Sequence, residues 1–414
     1  MTTEPREPAL SIKSLLLLVV TIRIAAHFAL PQPLESDSLA YFTLAQHLAA
    51  GQWPVDNLGQ HAFYSIGYPL VLAPFFALFG AAPGVAFGVN LALAMGAAAL
   101  VVLIARQCGF GPMAQKLALL GYGLWLPGVW NCTLLARENL SAPMLLLVVW
   151  SALCLLAEGP RIGRAALTGL AWGAALLAGT SALPLILAPL MALAYATRWH
   201  PGRMALPVLA MLGAAALVLA PWGWATKQML GTATLSTNSG FNLYIGNNPA
   251  ATGRFVSIAA TPVGPQWKAM RAHLGEVDAT SELGHRAIAW MRANPLGVAR
   301  LAAVKLALFW APNLPDSNDF ALSRAITFVR VFEVIQYLMF ITLAVLGLAL
   351  PGVARTHRVV ILSAIGGFWL LHGIAYIIER YRDPVMPLLI VLAAGALAEI
   401  VTHRMTQRDT AHAA

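Results

Sequence analysis

Apolar residues along this chain come in long unbroken runs rather than in alternation or narrow helical stripes. Runs at about 13–30, 84–105, 116–134, 141–157, 163–180, 182–197, 204–222, 328–350, 358–379 and 384–402 are bounded by Gly, Pro or charge. Nearly all are long enough to cross roughly 30 Å of hydrocarbon as a helix, so the pattern predicts about ten transmembrane helices. Two further apolar stretches do not fit as crossings. Residues 68–80 (YPLVLAPFFALFG) are too short, and 296–311 carry Arg300 and Lys305 among the apolar positions. Counting either would put basic loops on both faces, so the first reads as a helix lying along the interface and the second as an interfacial or re-entrant helix. Two long polar segments remain, 31–83 and 223–327. The expected fold is an all-α polytopic membrane protein, residues 1–414 forming one integral membrane domain.

Composition sharpens this. Of 414 residues 59% are hydrophobic and 10% charged, against roughly 25% charged in soluble domains, which excludes a water-soluble core of this size. The runs recur to the end of the chain, so they are not one signal peptide on a soluble body. The net charge of +9 sits in scattered residues without a basic stripe, which argues for membrane topology and against nucleic acid. Arg6, Lys13, Arg106, Lys116, Arg161, Arg164, Arg198, Arg203, Arg355, Arg358, Arg404 and Arg408 fall on one face. By the positive-inside rule that face is cytoplasmic, and both termini are inside. The opposite face collects most of the acids: Glu35, Asp37, Asp56, Glu138, Glu276, Asp278, Glu282, Asp316, Asp319, Glu379 and Asp383. Three cysteines, Cys108 in a cytoplasmic loop and Cys132 and Cys154 in or near spans, form neither a disulfide framework nor a zinc spacing.

Polar chemistry therefore gathers outside. In the first external segment Ser36 or Asp37 is placed to cap a helix running to about Ala50 and stopping at Gly51, with Asp37 and Tyr41 on one face. Asp37 is either that cap or a carboxylate at the mouth of a cavity, available as a general base. His61, Tyr64 and Tyr68 lead into the first interfacial helix, where Gly67 and Pro69 mark a bend that brings backbone close to a neighbour. Arg137-Glu138 forms a charged external turn, either a snorkelling anchor or a second acid facing Asp37. Asn247-Asn248-Pro249, in the stretch 239–254, reads as a tight turn rather than a helix, its amides suited to hydroxyl-rich ligands. Glu379-Arg380-Tyr381-Arg382-Asp383 puts two cations on the acidic face, partnered by a neighbouring acid or by a lipid phosphate. Arg23 and His27, ionisable and inside the first span, are placed to reach the same region.

The order of these features resembles the GT-C superfamily of polyprenyl-phosphate-sugar-dependent glycosyltransferases, in the branch of the protein O-mannosyltransferases and the aminoarabinose transferase of lipid A. The residues that carry the resemblance are Asp37-Ser-Leu-Ala-Tyr41 with Gly51-Gln-Trp53, Tyr68-Pro69, Arg137-Glu138-Asn139, Tyr244 to Pro249, and Arg380 to Pro384, spread over about 13–402. It implies a bacterial inner-membrane enzyme with its active site facing the periplasm. A hexose or pentose would pass, with inversion, from undecaprenyl phosphate to a hydroxyl of a lipid, glycan or protein of the cell envelope. Asp37 matches the catalytic base and Glu138 the second acid, which in relatives shapes the cavity or ligates a divalent metal ion with the first. Tyr381 matches the aromatic residue near the donor phosphate. Where the aminoarabinose transferase has a phosphate-binding Lys, this chain has Ile66, Gly67 and Tyr68, so Arg254, Arg380 and Arg382 become the phosphate candidates. Tyr41, His61, Tyr64, Tyr68, Arg137, Asn247 and Asn248 are the expected substrate contacts.

Two other classes fit polytopic sequences. A flippase or secondary transporter should show two similar halves and midplane ionisable residues, and no internal repeat is visible here. A polysaccharide polymerase or ligase uses the same lipid-linked donors, but it is expected to work through external Arg and His rather than an acid in the first loop.

Overall fold

The computed structural model describes residues 11–314, 324–349 and 352–413, and side chains over 11–314, 327–349 and 352–403. Arg6, Asp316 and Asp319 lie outside the described residues, as do the side chains of Arg404 and Arg408. Sixteen α-helices and three short 3₁₀ turns make up the described chain, and no strand is present among the described residues. The helices are α1 (Ile12–Ala29), α2 (Ser36–Ala49), α3 (Gly67–Phe79), α4 (Pro83–Gln107), α5 (Pro112–Leu124), α6 (Leu126–Thr133), α7 (Glu138–Glu158) and α8 (Ile162–Ala178). They continue as α9 (Leu187–Ala196), α10 (Pro201–Leu230), α11 (Ser239–Gly246), α12 (Gly264–Ala293), α13 (Pro295–Trp310), α14 (Arg324–Ala349), α15 (Arg355–His372) and α16 (Met386–Ala413).

Six of these, α1, α4, α7, α10, α14 and α16, are long and apolar enough to cross a membrane. The other expected crossings are shorter or broken. Residues 116–134 split into α5 and α6 at Trp125, ahead of Pro127. The freed backbone groups are taken up by one side chain: Gln336 accepts from the Leu126 N–H at 3.0 Å and donates to the Leu124 carbonyl at 2.8 Å. Such repair is what tolerates a break at membrane depth. Residues 182–197 begin as a 3₁₀ turn, Thr180–Ile186, before α9. The run expected at 358–379 ends as a helix at His372 and continues extended, Arg254 pairing with Ile377 in an isolated bridge.

Close packing follows the small residues. Gly169 and Gly173 of α8, a Gly-x-x-x-Gly pair, face α10, where an added Cβ would stand 2.1 Å from the Met211 carbonyl oxygen and 3.0 Å from that of Ala215. The main core joins α1, α4, α5, α7, α15 and α16 through residues such as Val19, Val101, Leu119, Leu146, Ile361 and Leu388. By contrast α1, α10 and α14 keep most of their apolar surface outward, with Leu17, Leu217 and Phe328 strongly exposed. A surface of that kind requires lipid, not water.

One expectation about the external segments changes. Residues 239–246 are helical, packed by Gly240 against the Thr280 carbonyl, and the turn begins only at Asn247. Close helix contact overrides the turn chemistry of Asn and Gly there. Residues 264–293, too polar to show an apolar face, form α12, broken at Gly275 (φ +78°). Gly67 does bring backbone close: a Cβ added there would stand 2.6 Å from the Ala178 nitrogen at the end of α8.

Candidate active site

The site starts with the first turn of α2. Its N-cap position is Glu35, without a side-chain cap bond, and Ser36 takes a left-handed φ of +49°. Neither Ser36 nor Asp37 caps the helix, contrary to the capping expectation. The Asp37 carboxylate turns elsewhere: Oδ1 accepts from the Tyr64 hydroxyl at 3.2 Å and Oδ2 from Arg380 Nη2 at 2.5 Å. A strained non-glycine backbone beside a carboxylate so engaged is the kind of distortion that functional sites retain.

Arg380 comes from the 3₁₀ turn Glu379–Arg382 and reaches a second acid. Its Nε lies 3.5 Å from Glu138 Oε1, and Arg137 Nε lies 3.9 Å from the same oxygen. Glu138 opens α7, where the helix dipole favours an anion. The two acids differ in access: the Asp37 side chain is 35% exposed and that of Glu138 7%. A base that must meet a hydroxyl has to be the open one; Glu138 sets the field behind it. Arg137 makes no hydrogen bond among the described residues beyond its 3.9 Å ion-pair approach to Glu138.

Three tyrosines wall the acids. Tyr41 meets Tyr64 and Tyr68 edge to face, with ring centroids 5.3 and 5.6 Å apart. Burial pushes the Tyr41 and Tyr64 hydroxyls up from their ordinary range, the neighbouring Asp37 adding to both, so both stay protonated and Tyr64 remains a donor. The Tyr68 hydroxyl donates to Asn90 Oδ1 at 2.7 Å, and Asn90 Nδ2 donates to the carbonyls of Cys132 and Leu134. Asn139 Nδ2 in turn reaches the carbonyls of Asn131, Leu134 and Ala136. These amides fix the connection that carries Arg137 and Glu138. Tyr381 lies beside His372 and Tyr376, ring centroids 5.3 and 5.9 Å away.

Other expected site residues are placed differently. Arg382 is buried, donating to the Ala311 carbonyl and lying over the Tyr337 ring at 4.2 Å. Arg254 is ion-paired with Glu379. The Asn247 amide donates to the carbonyls of Leu243 and Ile374 and accepts from Lys305 Nζ, while Asn248 folds onto Tyr244 and the Ala250 N–H. These four are committed within the chain. His61 bonds the Pro54 carbonyl rather than the acids. Arg23 does not reach the Arg380 turn: it is enclosed beside Tyr122, and His27 stacks on Phe87.

Glu276, Asp383 and Lys305 were named from the sequence only as external acids or as a charge within 296–311, without a place among the site residues. Glu276 accepts from the N–H groups of His61 and Ala62 and from the Thr237 hydroxyl at 2.6, 2.9 and 2.7 Å, so it holds the loop that presents Tyr64. Asp383 accepts from Asn131 Nδ2 at 2.7 Å, and burial raises its carboxyl to about 7. The one available signal was Gly275 immediately before an acid in a polar stretch, which marks a helix break.

A divalent metal ion would have to use Asp37 and Glu138, and the residues do not fit one. The guanidinium of Arg380 stands at both carboxylates, and no cluster of three or more His, Cys, Asp or Glu able to hold a metal exists among the described residues. The counter-charge for the acid pair is Arg380.

No protein-family model and no curated protein matches the chain. Among solved structures it is similar to the archaeal oligosaccharyltransferase AglB from Archaeoglobus fulgidus in complex with an inhibitory peptide and a dolichol-phosphate. That likeness has a TM-score of 0.54 at 13% identity, over 97% of this chain and 52% of that one. The same oligosaccharyltransferase in complex with Zn and sulfate gives 0.54 at 14%, over 95% and 50%. ArnT from Cupriavidus metallidurans bound to undecaprenyl phosphate gives 0.46 at 15%, over 94% and 79%. The chain thus spans about half the length of AglB. At these identities the likeness shows the fold alone: the chain shares the fold of that oligosaccharyltransferase.

Proposed function

We propose that this chain, built on the GT-C fold, is a membrane glycosyltransferase that moves a sugar from a polyprenyl phosphate to an acceptor hydroxyl at the outer face of the inner membrane. The observation that carries the reading is the open Asp37 carboxylate, oriented by Tyr64 and Arg380 in front of the buried Glu138. The dolichol-phosphate bound to AglB supports a polyprenyl phosphate as the lipid. The crowding of external acids opposite the basic loops supports a periplasmic site with both termini inside.

In this mechanism Asp37 takes the proton of the acceptor hydroxyl as its oxygen attacks the anomeric carbon. The bond from that carbon to the phosphate oxygen breaks on the opposite side, and the polyprenyl phosphate leaves with the electron pair and one added negative charge. A general base contributes about 10²- to 10⁴-fold to such a step. The charge on the leaving phosphate is met by cations: Arg380 stands at the acids, and Arg137 has guanidinium donors not taken up by hydrogen bonds. Arg137 therefore replaces Arg254 and Arg382 as the main phosphate contact, a bidentate group for a tetrahedral anion. The acceptor is a lipid or glycan of the cell envelope, reached past Tyr41 and Tyr64.

The test is mass spectrometry of lipids and surface glycans from deletion cells carrying wild type or Asp37→Asn. The expected outcome is a modification lost on deletion, restored by wild type, and not restored by an Asp37→Asn protein present in the membrane at equal level. Full restoration by Asp37→Asn would remove Asp37 as the base.

A further inference from the structure

Behind the acid pair lies a small, partly open space that the transfer chemistry does not use. It has a volume of about 40 Å³ and is lined by Tyr122, Trp125, Gly128, Asn131, Glu138 and Asp383, with Ala94 and Ala142 among its apolar walls. Trp125 is 2% exposed and its Nε1–H has no hydrogen-bond partner among the described residues. Arg23 packs against two of the lining residues: it is 0% exposed, its guanidinium carbon lies 5.0 Å from the centre of the Tyr122 ring, and its Nη2 would be 3.9 Å from a Cβ on Gly128. Its Nη1 makes two long bonds, to the carbonyls of Val19 and Gly123 at 3.3 and 3.4 Å, while Nε and Nη2 have no partner among the described residues. No carboxylate lies within ion-pair distance of this fully enclosed cation among the described residues.

Buried donors without partners are rare in folded proteins and costly, at about 1–3 kcal/mol each and more for a charged group. The occupant that satisfies them must accept from Trp125 and Arg23 and also donate to the carboxylates of Glu138 and Asp383. An anion would meet the two acids, and a metal cation would meet Arg23. A neutral molecule that both donates and accepts fits all four, and a volume of this size has room for about three waters.

We propose that this cavity is a bound-water site linking Arg23 and Trp125 to Glu138 and Asp383 behind the active site. The waters supply the hydrogen bonds that Arg23 and Trp125 otherwise lack and brace the Glu138 carboxylate from behind, leaving its Oε1 to Arg380. They make Arg23, Trp125 and Asp383 positioning residues for Glu138. The role assigned to the waters rests on the acid-pair reading of the site. Their presence does not, and it is measured without any sugar transfer.

The direct test is a structure of the full chain in lipid nanodiscs at a resolution that shows ordered solvent. Density for water between Trp125 Nε1 and the two carboxylates is expected, and an empty cavity overturns the proposal. Thermal unfolding of the purified full chain gives a second test. In a wet cavity Trp125→Phe loses a satisfied bond and Ala142→Val displaces water that the polar groups need, so Tm falls for both. In a dry cavity Trp125→Phe removes an unsatisfied donor and Ala142→Val fills a void, so Tm rises for both, which overturns the proposal. Because overpacking at 142 and lost packing at 125 also lower Tm, a fall in both is read with the solvent density, which decides.

Discussion

Removing the cation between the two acids should expose how strongly they depend on it. Arg380→Met deletes the guanidinium that stands 2.5 Å from Asp37 and 3.5 Å from Glu138. At 3.5 Å, Coulomb's law gives about 5 kcal/mol for an effective dielectric of about 20, and about 1 kcal/mol in bulk water. Arg380 is 34% exposed and Glu138 is 7% exposed, so solvent screens the pair partly but not fully. We expect a coupling of about 2 kcal/mol between positions 380 and 138. The assay is a double-mutant cycle of wild type, Arg380→Met, Glu138→Gln and the double variant, by reversible unfolding in mixed micelles. Arg380→Met alone strands a buried carboxylate and should be markedly destabilised, whereas adding Glu138→Gln should recover part of the loss. Additivity within about 0.5 kcal/mol would refute Arg380 as the counter-charge of Glu138. It would also reopen Asp37 and Glu138 to a metal ion.

Three further outcomes follow from other contacts. Glu276→Ala strands two backbone donors and Thr237, each bond to a charged group contributing about 1.5–3 kcal/mol. Hydrogen exchange at His61 and Ala62 should accelerate by about 10²-fold, and unchanged exchange would contradict the clamp. Asp383 is raised from 3.8 to about 7 by burial. The folded state then holds a proton that the unfolded chain has lost, so its contribution to stability is full below about 4 and disappears as pH rises through about 7. Asp383→Asn should flatten the stability profile across that window, and an unaltered profile would count against the raised value. Lys305, 1% exposed and bonded to Asn247 and the Ile374 carbonyl, is lowered from 10.5 to about 8 by burial. Its contribution is present above 10.5 and lost as pH falls through about 8, so Lys305→Met should remove the stability slope between those values, and a persisting slope would assign it to another group.

What was legible in the chain and what was not divides along a physical line. Helices are specified by the length and apolarity of local runs, a property each segment carries alone, so 68–80 and 296–311 are helical where the sequence expected helices, as α3 and α13. The acids Asp37 and Glu138 were legible for a related reason: an ionisable residue at the end of an apolar run has few roles open to it. Their meeting through Arg380 was not, because residues 37, 138 and 380 are brought together only by the packing of helices far apart in sequence. The same holds in reverse for Asn247, Asn248, Arg254 and Arg382. Each is a residue type suited to sugars or phosphate, and each spends its polar atoms on a backbone or acidic neighbour. Residue type therefore nominates a ligand-binding side chain, and only the balance of satisfied and unsatisfied donors selects among the nominees. By that balance Arg137, chosen from sequence merely as a contact, is our proposed phosphate group, while Arg23 and Trp125, with buried donors that lack partners among the described residues, are the donors of the proposed water site.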